Sequence, residues 1–255
     1  MKISINVVHT NYGNHHLFKN ETLLSQLHLL SKASSLYEIN LLFNGLEAVD
    51  NYTKELQTNE KLKEIVKSKS ANIQLNPYKV MTHGAAIQRL HEMTETDWYI
   101  LIDEDDEFRK DFLYSLRQFI EVIHNHNLSY HLVMYGFNWM YINRKNKLSE
   151  KKHPTEEPTL KLDSVAGLSN WNFLFNKKTL DKLGLVRPDI NKYDDNLYYL
   201  KLHQAYKGKC IFLNYNLINY RKDHSTLSVD SRVQFDDYMN YLLSGTGFEV
   251  IKTIS

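Results

Sequence analysis

Short apolar runs alternate with longer stretches of helical spacing along the first half of this chain. Ile3 to Val8 is a run of strand-forming residues that ends in the polar string His9-Thr10-Asn11-Tyr12-Gly13-Asn14. Leu17 to Leu30 follows, with Leu23, Leu27 and Leu30 spaced for one face of a helix. Glu38 to Phe43 predicts a second strand, closed by the turn signal Asn44-Gly45. Asp50 to Lys67 predicts one polar helix with Leu56, Leu62, Ile65 and Val66 inward. Asn72 to Leu75 is a short third strand, and Gly84 to Met93 a helix with Ala86, Leu90 and Met93 on one side. Trp98 to Ile102 is apolar without alternation, the pattern of a strand covered on both faces. Phe112, Leu116, Phe119 and Ile123 then give a helical stripe. Strands and helices taking turns across short connections predict an α/β fold, a doubly wound and mostly parallel central sheet with helices on both faces.

The second half is less regular. Tyr130 to Ile142 predicts one or two strands, and Leu217 to Arg221 another. Asn143 to Asp163, with five Lys and two Pro, reads as a mobile loop; its lysines suit a phosphate, but solvated lysines are the ordinary reading. Lys177 to Leu183, Asp194 to Tyr206 and Val233 to Leu243 predict helices, each followed by a glycine within a few residues. No repeat, low-complexity tract or linker divides the chain, so residues 1–255 read as one domain.

Composition narrows the function more than the fold. Lys+Arg 31 against Asp+Glu 30 gives a net charge of +1, which argues against a general nucleic-acid binder. The single Cys210, in an apolar run, excludes an internal disulfide framework and a cysteine-rich zinc site. Met1-Lys2 leads directly into the first strand, and no window has the roughly 18 apolar residues of a membrane helix, so a cytoplasmic protein is expected.

The sharpest chemical signal is Asp103-Glu104-Asp105-Asp106, where the apolar strand stops abruptly. Open α/β sheets bind ligands beyond the carboxyl ends of their strands. Four adjacent carboxylates repel one another unless a cation offsets the charge. Acids also gather before helices, whose amino ends are positive, so the stretch alone leaves both readings open. Three more polar strings fall at strand ends or helix starts: around Asn11, at Asn44 and at Asp194-Asp195. In a doubly wound sheet such positions converge on one crevice.

In order and spacing these strings resemble the family 2 glycosyltransferases of GT-A fold, over roughly residues 3 to 230. The likeness rests on the Ile3–Asn11 opening, Leu41-Leu42-Phe43-Asn44-Gly45, and Tyr99-Ile100-Leu101-Ile102-Asp103-Glu104-Asp105-Asp106 as a D-x-D-D motif. Tyr193-Asp194-Asp195-Asn196 opening a helix and Tyr220 to Ser228 near the end complete it. The resemblance implies a nucleotide-binding half to about residue 106, an acceptor-binding half from 107 to about 230, and a C-terminal helix and tail over 231–255.

It also implies roles. Thr10 and Asn11 match the end of the first strand, which holds the nucleotide base. Asn44 stands where the family usually has Asp, and an amide still bonds a uracil edge. Asp103 matches the acid that contacts ribose or sugar. Asp105 matches the one that binds Mn²⁺ or Mg²⁺ bridging the diphosphate, with Asp106 orienting its neighbours. His224 matches a histidine that completes the metal or diphosphate site. Asp195 matches the catalytic base, and Asp194 stands beside it where Glu is usual; helix capping is the alternative for that pair. Trp171 and Asn172 fall in the acceptor region, although a Trp there also suits a core. Arg89 serves the diphosphate if the Ala-Arg-Asn string common in the family is shifted in register, and is otherwise an exposed helix arginine.

The implied activity is metal-dependent, inverting transfer of a hexosyl or N-acetylhexosaminyl unit from a nucleotide-sugar, a UDP-sugar by resemblance, to a hydroxyl of a glycan or lipid-linked acceptor. Bacterial surface polysaccharide synthesis is the implied setting, with peripheral contact at the inner membrane face. A nucleotidyl- or phosphoryltransferase would want Gly-x-Gly-x-x-Gly or Gly-Lys-Ser/Thr near the first strand, and neither occurs. A non-catalytic sugar- or partner-binding relative is the other alternative.

Overall fold

The computed structural model describes residues 1–10, 20–125, 132–142, 148–153, 173–183, 188 and 210–222. The first half follows the alternation of its sequence. Strand β1 (Ile3–His9) leads to α1 (Glu21–Lys32), β2 (Tyr37–Asn44), α2 (Leu46–Thr58), α3 (Glu60–Lys67), β3 (Ala71–Asn76), α4 (His83–Met93) and β4 (Trp98–Asp103). Strands β3, β2, β1 and β4 lie side by side in that order, all parallel. Beyond β4 the sheet continues through the antiparallel strand β8 (Phe173–Asn176) to β6 (Leu132–Ile142), β9 (Cys210–Lys222) and the short β5 (Glu107–Phe108). Helices α5 (Phe112–Asn125) and α6 (Lys177–Leu183) and the strand β7 (Leu148–His153) complete the described elements.

One face of the parallel strands is apolar. Ile3, Ile5 and Val7 of β1 align with Tyr37, Ile39 and Leu41 of β2 and with Trp98, Ile100 and Ile102 of β4. They pack on Leu23, Leu24, Leu27 and Leu30 of α1 and on Leu62 and Ile65 of α3. Each fully buried Leu or Ile stabilises the fold by roughly 1.5–3 kcal/mol relative to exposure. The opposite face carries Ser4, Asn6, Glu38 and Asn40, equally buried, beneath α4. His91 of α4 bonds the Tyr99 hydroxyl at 3.0 Å and the Asp181 carboxylate at 2.7 Å, tying β4 to α6. Burial raises the Tyr99 phenol well above its ordinary pKa, with the Asp181 charge adding to the effect, so it stays a neutral hydroxyl in this chain of bonds.

Two expectations are corrected. The polar helix over 50–67 is two helices, because Asn59 breaks it: its backbone is extended and its side chain accepts from the Leu62 N–H at 3.2 Å, capping α3. The segment over 143–163 is not all loop. Leu148–His153 forms strand β7, paired antiparallel with β6 from Ile142↔Leu148 to Phe137↔His153. Lys-rich strands suit a sheet edge, where charge discourages further pairing, and helical or loop propensity in Leu-Ser-Glu-Lys-Lys-His gave no strand signal. The expected strand over 217–221 is the end of the longer β9. The predicted helices over 194–206 and 233–243 lie outside the described residues.

Candidate functional site

The carboxyl ends of β1, β2 and β4 and the amino end of α4 meet above the parallel sheet. Strand alternation sets what each contributes. In β4, Tyr99, Leu101 and Asp103 share the face toward α4, and Val8 of β1 is the register partner of Asp103. After Asp103 the chain turns, closed by a bond from the Asp106 N–H to the Asp103 carbonyl at 3.1 Å. The turn brings Asp103, Asp105 and Asp106 together, with one carboxylate oxygen of each within 4.8 Å of the others. His83, the first residue of α4, stands with Nε2 3.9 Å from Asp103 Oδ1. Thr82 caps that helix by accepting from the Ala85 N–H at 3.2 Å, and its hydroxyl also donates to the Pro188 carbonyl.

Glu104 goes the other way. It is 8% exposed, and its carboxylate pairs with Nδ1 of the buried His9. The same carboxylate accepts from the Thr10 N–H at 3.3 Å to each oxygen, and from the Thr10 hydroxyl at 3.3 Å. The backbone around it is tethered to α1. Asn20 caps that helix by accepting from the Leu23 N–H at 3.0 Å, while its amide donates to the carbonyls of Glu104 and Asp106 at 3.2 and 2.8 Å. Gln26, six residues further on, accepts from the Phe108 N–H at 2.8 Å and donates to the Phe108 carbonyl.

Three hard oxygen donors at this spacing suit Mg²⁺ or Mn²⁺, which take carboxylates together with phosphates and water. The donor set therefore fits the metal that the motif implies. It includes Asp106, to which the sequence reading gave only an orienting part.

The other expected site residues fall as follows. Asn44 is fully buried and its amide holds the β3–α4 loop: Oδ1 accepts from Met81 N–H at 2.9 Å and from Asn76 Nδ2 at 3.0 Å, and Nδ2 donates to the Met81 carbonyl at 3.2 Å. Arg89 is half exposed on α4 and bonds Glu92 at 2.9 Å and Gln74 at 2.7 Å. Thr10 faces Glu104, as above. Asn11, Trp171, Asn172, Asp194, Asp195 and His224 lie outside the described residues. His9, Asn20 and His83 were not singled out from the sequence. His83 was legible in principle, since Thr82-His83-Gly84 is a capped helix start placed just after a strand.

No protein-family model matches the sequence, and no curated protein matches it by sequence. Solved structures do match in three dimensions. Residues 1–349 of S. aureus TarS in complex with UDP-GlcNAc superpose with a TM-score of 0.63 at 15% identity, covering 98% of this chain and 68% of that one. The same region in complex with UDP gives a TM-score of 0.58 at 14% identity, covering 95% and 70%. A longer TarS structure gives 0.57 at 12% identity, covering 95% of this chain and 42% of that one. At such identities the likeness is one of fold, and it agrees with the order of motifs along the sequence: this chain has the GT-A nucleotide-binding fold.

Proposed function

We propose that this protein is a family 2 glycosyltransferase that moves a sugar from a UDP-sugar to a hydroxyl of a glycan or lipid-linked acceptor, with inversion at the anomeric carbon. The observation that carries the reading is the convergence of Asp103, Asp105 and Asp106 at the end of β4, in a fold shared with a protein solved in complex with UDP-GlcNAc. Bacterial surface polysaccharide synthesis is the setting the motif resemblance supports. The half up to about residue 106 holds the nucleotide and residues 107 to about 230 the acceptor.

In the proposed reaction the bond from the anomeric carbon to the diphosphate breaks while the acceptor oxygen bonds the same carbon from the opposite face. Asp103, Asp105 and Asp106 would hold Mn²⁺ or Mg²⁺, which when bound supplies positive charge against the departing diphosphate. Asp195 takes the acceptor hydroxyl proton onto a carboxylate oxygen as the acceptor oxygen bonds the anomeric carbon. His224 completes the metal or diphosphate site, as the motif resemblance implies. The antiparallel pair Glu107↔Asn219 supports this, because it sets β9, which ends two residues before His224 in sequence, against the short strand that follows the acidic turn. His83, at the positive amino end of α4 and beside Asp103, is suited to donate to a phosphate or sugar oxygen. Thr10 and Asn11 serve the nucleotide base, as the motif resemblance implies, and Asn44 acts through the loop it braces. Trp171, Asn172 and Asp194 serve the acceptor. Arg89, bonded to Glu92 and Gln74, stands as an exposed helix arginine.

The test is turnover of a panel of nucleotide-sugars with Mn²⁺, read as nucleoside diphosphate release with and without acceptor. UDP-sugar turnover is expected, lost in Asp105→Asn. Asp195→Asn is expected to keep UDP binding and lose about 10²–10⁴-fold in transfer. UDP binding without any turnover would favour a binding protein of the same fold, and wild-type transfer by Asp195→Asn would remove that residue as base.

A further inference from the structure

We infer that Glu104, the middle residue of the acidic motif, is a positioning residue: its carboxylate clasps the end of β1 and thereby sets the shape of the loop that presents Asp103, Asp105 and Asp106. The inference rests on reading those three acids as a divalent-cation site.

Four consecutive acids have two ways to lie. If all four side chains faced one space, the fourth charge would add repulsion without adding a well-placed ligand. Here three converge, and the fourth is drawn out of the group into a buried site of its own. Burying a carboxylate is costly unless donors surround it. Glu104 has three: the His9 ring N–H, the Thr10 amide and the Thr10 hydroxyl. Each lies on β1 or the residue after it, so the bonds fix β1 against the turn that follows β4. Asn20 fixes the same turn from its other side through the carbonyls of residues 104 and 106. The loop is therefore held at both flanks by bonds that leave the three remaining carboxylates facing together.

Glutamate is the side chain this arrangement asks for. Gln has the same reach but only one acceptor oxygen, so its NH₂ group would face a donor from His9 or Thr10. Asp keeps the charge but falls one methylene short of spanning both. Groups that orient metal ligands typically change metal affinity by about 10–100-fold when removed.

The experiment titrates Mn²⁺ in the presence of UDP, following the resonance signal of free Mn²⁺, for the wild type, Glu104→Gln, Glu104→Ala and Glu38→Gln. Glu38 is the control: a buried carboxylate that accepts from Ser4, Asn40 and the Glu95 N–H, near the amino end of β2 and so at the opposite end of the strands from the acidic turn. Both Glu104 variants are expected to weaken Mn²⁺ binding about 10–100-fold. Glu38→Gln is expected to lower the melting temperature while leaving Mn²⁺ affinity as in the wild type. Wild-type affinity in Glu104→Gln overturns the inference, as does equal weakening by Glu38→Gln, which would make the loss a general one. If the Gln and Ala variants do not fold, Glu104→Asp decides by the same titration, with weaker binding expected and wild-type binding overturning. A wild-type protein that takes up no Mn²⁺ beside UDP would overturn the metal-site reading itself, and the clasp with it.

Discussion

The two faces of the parallel sheet are equally dry and chemically unlike. Toward α1 and α3 the strands present Ile, Leu, Val and aromatic side chains. Toward α4 they present a ladder of amides in register: Asn72 donates to Asn40 at 2.9 Å, Asn40 donates to Asn6 at 2.8 Å, and Asn6 donates to the Thr94 hydroxyl at 2.9 Å. Glu38 and Ser4 continue the network, with Ser4 donating to Glu38 at 2.8 Å and sharing a 2.7 Å bond with Thr96. The apolar face resists unfolding by area, which is additive and forgiving of shape. The amide face works by pairing, so that each group is inexpensive only while its neighbour is present. A second rung, Asn44 with Asn76, stands at the strand ends and continues into the loop above the site. Polar pairing thus runs from the middle of the sheet to the edge of the chemistry.

Truncation should separate the faces most clearly. Ile39→Ala, on the apolar side, is expected to cost about 2–5 kcal/mol in urea unfolding, as buried aliphatic truncations do. Asn40→Leu, of similar shape on the amide side, should cost about 1–3 kcal/mol, because Asn6 and Asn72 each lose a buried partner. Replacing Asn6, Asn40 and Asn72 by Leu together should recover stability relative to the single change; a triple variant worse than the sum of its parts would mean that packing, not pairing, governs that face.

Gly45 offers a smaller contrast where β2 leaves the sheet. Its φ is 110°, and an added Cβ would lie 2.6 Å from Val80 Cγ2. Gly45→Ala should cost about 1–3 kcal/mol from the strained backbone, and a thermal melt at wild-type temperature would show that the loop yields. The least effect belongs to neither face. Bonds from His28 and then Lys32 hold the Glu64 carboxyl below its ordinary range on the exposed surface. A lowered carboxyl favours the folded state at neutral pH, and that contribution fades as pH falls through its folded value. Glu64→Gln should therefore flatten the acid limb of the stability curve slightly, and an unchanged limb would show that solvent screens the pair fully.

The apolar face was legible in the sequence because period and residue type agreed over Leu23, Leu27, Leu30 and Trp98 to Ile102. The amide face was not. Ile3-Ser4-Ile5-Asn6-Val7 alternates like a strand with one wet side, and nothing local tells that α4 covers it. At the site, the end of β4 and its acids were legible from the abrupt change at Asp103. The division of labour among those acids was not, since it depends on His9, Thr10 and Asn20, which are distant in sequence and ordinary in type. Strand β7 escaped notice for a related reason: an edge strand gains its stability from pairing with β6 and need not show an apolar period.

Asn20 joins two tasks in one side chain, capping α1 with its oxygen and holding the acidic turn with its nitrogen. Fraying of the first turn of α1 and slackening around Asp105 are consequently a single opening event. Amide protons at Leu23 and Asp106 should then exchange with solvent at matched rates, so that a helix end on the far side of the sheet acts as a gauge of how ready the acids are for their ligand.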